Sequence, residues 1–163
     1  MNPSAERQMN PIGKRILALF DELERDSLDL HTLLEFIGGN PPAEREAVFD
    51  SVAQLIREGL LKPGEGGDFY QRTEDGRLAA AGPREVTLYT RANCHLCEEA
   101  KAAMAPALRE FSAKLHEVDI DRDETLRARY TNDVPVIFIG PRKVAKHRLD
   151  AAEFRRQLER SGA

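Results

Sequence analysis

Cys94-His95-Leu96-Cys97 holds the only two cysteines in 163 residues, and it stands where a two-residue apolar alternation gives way to a helical one. Glu85-Val86-Thr87-Leu88-Tyr89-Thr90 alternates apolar and polar residues and is rich in β-branched and aromatic types, as a strand is. Arg91-Ala92-Asn93 makes a short turn. From Cys94 onward, Leu96, Ala100, Ala103, Met104, Ala107, Leu108 and Phe111 recur at three- and four-residue steps, the buried face of an amphipathic helix. The first cysteine then sits at a helix N-terminus and the second one turn later, close enough to reach it. Unpaired N–H groups and the macrodipole at such an end lower a thiol pKa from about 8.5 toward roughly 7 or below. Cys94 is therefore the candidate nucleophile and Cys97 the candidate resolving thiol of a thiol-disulfide enzyme.

The same spacing supplies half of many zinc sites. Four ligands are needed for that, there is no second cysteine pair, and His31, His95, His116 and His147 are scattered. No metal is expected. The motif alone leaves redox and metal chemistry both open, so the surrounding sequence has to decide.

Pro106 interrupts the helical pattern, and a proline there removes one hydrogen bond and crowds the preceding turn, which predicts a kink or short break near Ala102 to Pro106. Lys114 to Ile120 alternates again, and Asp123 to Tyr130 reads as a short charged helix with Asp121 or Asp123 near its cap. Val134-Pro135-Val136-Ile137-Phe138-Ile139 is a buried strand. Gly140-Pro141-Arg142 turns the chain, Lys143 to His147 is its hairpin partner, and Asp150 caps a last helix carrying Ala151, Phe154 and Leu158. The order is β-α-β-α-β-β-α.

That order, with Thr90-Arg91-Ala92-Asn93-Cys94-His95-Leu96-Cys97 and the later Val134-Pro135, resembles the glutaredoxin branch of the thioredoxin fold, above all small, mostly bacterial glutaredoxin-like proteins. The resemblance covers residues 84 to 163, and its two motifs lie 41 positions apart, from Cys94 to Pro135. It implies a cis Val134–Pro135 bond beside the cysteines, a conformation found in only about 5 to 6% of X–Pro bonds in folded proteins. It also implies that the Val134 backbone faces the substrate, offering strand-like hydrogen bonds to an extended peptide or to glutathione. Arg91 matches a basic residue three before the nucleophile, placed to stabilise the thiolate or pair with a glutathione carboxylate. His95, when protonated, favours the Cys94 thiolate. The site so implied has Cys94 and Cys97 as catalytic residues and Arg91, His95, Val134 and Pro135 against the substrate.

Departures from the pattern bear on substrate choice. Thioredoxins carry Trp before the first cysteine and Gly-Pro between the two, whereas this chain has no Trp and has Asn93 and His95-Leu96 there. Where glutaredoxins use Thr before Val-Pro and Gly-Gly-x-Asp near the last helix, it has Asp133 and Arg148-Leu149-Asp150. The expected substrate is a disulfide-containing protein or glutathione, with glutathione an open question as cosubstrate and no cofactor bound.

The remaining half reads as a second domain, joined at Ala79-Ala80-Ala81-Gly82-Pro83, which gives domains of residues 1–82 and 83–163. Ile16, Leu17, Phe20 and Leu23 mark one amphipathic helix, Leu30, Leu33, Leu34 and Ile37 a second, and Val48, Phe49, Val52, Leu55 and Ile56 a third. Gly59 to Arg77 reads as a β-hairpin, with Thr73 capping a final helical turn. Three helices and a hairpin resemble a small α+β winged-helix domain, so the expected fold class is a thioredoxin fold preceded by a winged-helix-like domain.

A winged helix raises DNA as a partner, and charge argues against it. Residues 1–82 hold nine Lys/Arg against fifteen Asp/Glu, a net of −6, and residues 83–163 a net of +2. The expected recognition helix, Glu44 to Glu58, carries −2, the wrong sign for a phosphate-lined groove. A protein partner is favoured, and a single face of Arg45, Arg57, Arg72 and Arg77 is what DNA binding would require. A redox-responsive regulator binding DNA or a protein is the alternative to the enzyme. Met1 to Arg7 has no apolar signal core and no run approaches the ~18 apolar residues of a spanning helix, so a reducing cytosol, without membrane partners, is the expected location.

Overall fold

The computed structural model describes residues 9–162, so the polar start from Met1 to Arg7 lies outside the described residues. The chain divides into two compact units, Met1–Ala80 and Ala81–Ala163. The division falls two residues before the Gly82-Pro83 junction because Ala81 and Gly82 belong with the second sheet. Their carbonyl oxygens lie 3.4 Å from where a side chain on Gly140 would begin, and Gly82 accepts a hydrogen bond from Glu85 N–H.

In the first unit, α1 (Pro11–Glu22), α2 (Leu30–Ile37) and α3 (Pro42–Arg57) close around Ile16, Leu17, Phe20, Leu33, Val48, Val52 and Leu55. Asn10 starts α1 by accepting from Gly13 N–H, and Asp29 starts α2 by accepting from Thr32 N–H at 2.8 Å. Strands β1 (Ser27–Asp29), β2 (Leu61–Pro63) and β3 (Phe69–Arg72) form an antiparallel sheet in the order β1-β3-β2, and α4 (Glu74–Ala80) follows. The Gly-rich turn at Gly64 to Gly67 marks the hairpin of β2 and β3 in the sequence, whereas no such turn marks β1. Thr73 caps α4, accepting from Gly76 N–H at 3.0 Å.

The arginines of this unit serve it internally. Arg72, its side chain only 12% exposed, forms a two-pronged ion pair with Asp21 and donates to the Leu17 carbonyl. Arg77 pairs with Glu74, and Arg45 donates to the Gly39 carbonyl. Three of the four arginines required for a DNA-reading face are thus bonded to neighbours, two of them to carboxylates.

In the second unit, β4 (Glu85–Thr90) is the central strand, parallel to β5 (Lys114–Asp119) and antiparallel to β6 (Val136–Ile139). β7 (Arg142–Lys146) adds the far edge, giving the order β5-β4-β6-β7. β4 is covered on both faces, by α5 (His95–Glu110) and α7 (Ala151–Ser161) on one and by Tyr130 on the other, which explains the near-continuous burial from Val86 to Tyr89. The register pairs Val86 with Ile139 and Leu88 with Ile137, so these four share one face. There they meet Ala100, Met104 and Ala107 of α5 and Phe154 and Leu158 of α7. Tyr89 turns the other way, stacks on Tyr130 at 4.8 Å and meets the edge of Phe138 at 5.6 Å. Tyr130 ends α6 (Glu124–Tyr130), which Asp123 caps and a 3-10 turn, Ile120–Arg122, precedes.

Of the kink or short break expected near Pro106, the break does not occur. α5 runs unbroken through it: Pro106 is exposed, and Ala100, Met104 and Ala107 anchor the buried face on both sides of it. The other expected elements of this unit are present, with Asp150 capping α7 through Glu153 N–H at 2.8 Å. The observed fold is mixed α/β with a four-stranded sheet.

Candidate functional site

β4 stops at Thr90, and the next three residues turn the chain into α5. Asn93 takes the left-handed conformation, φ +58°, which Asn tolerates better than most side chains, and this swings the chain so that Cys94 becomes the N-cap of the helix. The Cys94 sulfur accepts a hydrogen bond from the Cys97 N–H at 3.2 Å. An N-cap side chain normally satisfies one of the four orphan N–H groups of a helix, and here a sulfur does it. The same contact, aligned with the helix dipole, stabilises a thiolate on Cys94 once the pair is reduced.

Cys94 and Cys97 are joined as a disulfide, their Cα atoms 5.2 Å apart. Their surroundings differ. Cys94 is half-buried and faces outward from the turn, whereas Cys97 is 0% exposed, behind it in the core side of the helix. Cys94 is therefore the more accessible of the two sulfurs in the folded chain.

Val134 and Pro135 precede β6, and the bond between them is cis, as the resemblance implies. Tyr89 pairs with Val136 across the sheet, so the C-terminal end of β4 and the N-terminal end of β6, which carry Cys94 and Pro135, emerge at the same end of the sheet. The connection from α6 is tightly bonded: Asp133 and Val134 N–H both donate to the Tyr130 carbonyl, at 2.9 and 3.2 Å. His147, φ +64°, donates its N–H to the carbonyls of Asp133 and Pro135, holding the same segment from the β7 side.

The remaining sequence-expected residues are placed as follows. His95 is 87% exposed and its Nε2 lies 2.9 Å from Glu99 Oε1, one helical turn on. Asp133, in the position where glutaredoxins use Thr, lies 3.7 Å from Lys146 Nζ and from His147 Nε2. Arg91 makes a two-pronged pair with Asp121, at 2.6 and 3.2 Å, and donates to the Thr131 carbonyl at 3.4 Å. The hydrogen bond from Arg91 holds the Asp121 carboxyl below the ordinary carboxylate range, and the same bond raises the Arg91 guanidinium. A carboxyl with a lowered pKa keeps its pair above the ordinary range and loses it as pH falls through the lowered value, so this pair is intact at neutral pH.

Sequence reading puts Asp121 or Asp123 near the cap of α6. In the structure Asp123 is that cap, accepting from Leu126 N–H, and Asp119 accepts from Asp121 N–H, leaving the Asp121 carboxylate for Arg91. A basic residue thirty positions upstream gives no local pattern by which to choose it. A cleft of about 620 Å³ lined by Pro83, Gly140, Arg142, Gln157, Arg160 and Ser161 lies at the opposite end of the sheet, where β6 ends, away from the dithiol. Among the described residues no three His, Cys, Asp or Glu side chains are grouped to hold a metal ion.

The sequence profile of the family described as Glutaredoxin-like domain (DUF836) matches residues 85–159, within the second unit. The glutaredoxin-like protein YDR286C homolog of Dictyostelium discoideum is 34% identical over 80 residues, spanning 45% of this chain and 74% of that protein. The chain belongs to the glutaredoxin-like family. A solved structure of a structural-genomics target protein from X. campestris is also similar, 35% identical, covering 46% of this chain and 96% of that one, with a TM-score of 0.40. Membership in the glutaredoxin-like family, with the Cys94–Cys97 pair, points to a thiol redox role for this part of the chain.

Accessibility gives a direct check on the two sulfurs. In the reduced protein under native conditions, iodoacetamide should modify Cys94 at least roughly tenfold faster than Cys97, located by peptide mass mapping. Equal rates would mean that the helix start does not distinguish them.

Proposed function

We propose that this glutaredoxin-like chain is a thiol-disulfide oxidoreductase of a reducing compartment such as the cytosol. The observation that carries the reading is the asymmetry of the dithiol: a reachable Cys94 capping α5 and a buried Cys97 whose N–H points at the Cys94 sulfur.

The Cys94 thiolate attacks one sulfur of a substrate disulfide. A Cys94–substrate bond forms, the substrate S–S bond breaks, and the departing thiolate takes a proton from water. Cys97 then loses its proton and attacks the Cys94 sulfur, forming the intramolecular disulfide and releasing the second substrate thiol. Two electrons pass to the substrate, and a second thiol donor, glutathione or a protein dithiol, returns the chain to its reduced form. The Val134–Pro135 segment gives an extended substrate chain a backbone surface beside the dithiol. His95, on the outer face of α5 beside Cys94, is a further contact for the incoming substrate.

For the first unit we propose a winged-helix-like module that contacts protein. Its order of helices and hairpin, its net charge of −6 and the internal pairing of Arg72 and Arg77 favour a protein surface over a phosphate backbone.

Cys94→Ser should reduce a model disulfide only at the background rate, while Cys97→Ser should accumulate mixed disulfides visible by mass spectrometry. Wild-type turnover by Cys94→Ser would remove the assignment. A labelled random DNA duplex should show no binding that falls steeply with salt, and tight, salt-steep binding would contradict the module's assignment to protein.

A further inference from the structure

We infer that Arg91 is a positioning residue that acts through Asp121, clamping the three loops around the dithiol, rather than a receptor for a substrate carboxylate. The inference rests on the redox reading of Cys94 and Cys97 and concerns how that same site is held.

Arg91 follows β4 directly and lies three residues before Cys94. Its guanidinium reaches two other segments at once. Asp121 sits in the 3-10 turn after β5, and Thr131 is the C-cap of α6. A guanidinium is a planar fork, and both arms of this fork toward Asp121 are used in the fixed two-pronged geometry that favours carboxylate. The third contact, to the Thr131 carbonyl, joins the pair to the segment carrying Val134 and Pro135. One residue earlier, the Tyr130 carbonyl receives the N–H groups of Asp133 and Val134, and below it the Tyr130 ring stacks on Tyr89, the penultimate residue of β4.

These contacts form a closed circuit: β4, Arg91, the end of α6, Val134-Pro135, β6, and back to β4 through the Tyr89–Val136 pairing. The nucleophile and the substrate-facing backbone belong to two different loops of that circuit, and Arg91 is the side chain that bridges them. A glutathione carboxylate would have to displace Asp121 from a pair that is only partly exposed, 29% on the arginine and 39% on the aspartate. The neighbouring Asp133, at the cis-proline segment, adds a carboxylate and no cation of its own. Arg91 therefore sets the distance between Cys94 and an incoming disulfide and does not choose between an anionic and a neutral partner.

The test is a double-mutant cycle in the full chain with Arg91→Met, Asp121→Asn and the double variant, using a glutathione-mixed disulfide and an uncharged peptide disulfide as substrates. A clamp predicts that each single variant lowers kcat/KM by the same factor, about tenfold, on both substrates, because misplacing reacting groups costs rate irrespective of substrate charge. The double variant should be no worse than either single one, and the exchanged pair Arg91→Asp with Asp121→Arg should regain part of the loss. A rise in KM for the glutathione substrate alone in Arg91→Met, with Asp121→Asn near wild type, would overturn the inference, as would losses that multiply in the double variant. Amide hydrogen exchange at Asp133 and Val134 reads the clamp without turnover. Faster exchange in both single variants supports it, unchanged exchange contradicts it, and a wild-type chain with no disulfide exchange at all would count against the redox reading only.

Discussion

The hydrogen bond from Cys97 N–H to the Cys94 sulfur is the contact on which the proposed chemistry depends, and the packing of the second unit makes it possible. It requires that α5 begin at Cys94. That in turn requires β4 to end at Thr90 and the chain to reverse within three residues, which Asn93 permits by adopting the left-handed conformation. β4 cannot slide, because it is held by parallel β5 on one side and antiparallel β6 on the other, and a one-residue slip would turn Val86 and Leu88 out of the core. The helix is held in its turn by Ala100, Met104 and Ala107 against those same residues. Packing fixes the strand, the strand fixes the turn, and the turn puts a sulfur where orphan N–H groups converge.

Charge around the dithiol is arranged in pairs. Arg91 is matched with Asp121, Lys101 with Glu98 and Glu117, and Lys146 with Asp133. The bonds to Glu98, then Glu117, raise the Lys101 ammonium above its ordinary range, so its charge is satisfied within its own helix and at β5. Such pairing at partly exposed positions adds little stability. Each of these cations has a carboxylate of the chain itself beside it.

The amino-acid pattern describes the second unit well, and the reason is local. Alternation in Glu85 to Thr90, helical spacing after Cys94, and Asp150 ahead of an apolar run each encode an element within a few residues. Pro106 does not break the helix because propensity is a local penalty, while the anchoring of α5 comes from the sheet below it. β1 has no Gly-rich turn beside it to mark it as a strand, and Asp121 cannot be told from Asp123 as a cap because its partner is far away in sequence. The cysteines and Val134-Pro135 are legible for the opposite reason. Their chemistry is carried by residue type and spacing, and their meeting at one end of the sheet follows from the antiparallel pairing of β4 and β6. What the pattern withholds about Arg91 is its partner, and the partner decides whether a guanidinium recognises a substrate or braces a loop.

Redox chemistry at this site requires Cys94 to be a thiolate stabilised at the start of α5. The most direct measurement is the Cys94 pKa in the reduced Cys97→Ser protein, followed by thiolate absorbance in the ultraviolet. Stabilisation by the helix start predicts a value well below the ~8.5 of a free thiol, toward about 7 or lower. A value at or above that of a free thiol would contradict it, since neither the Cys97 N–H nor the helix dipole could then be acting on the sulfur.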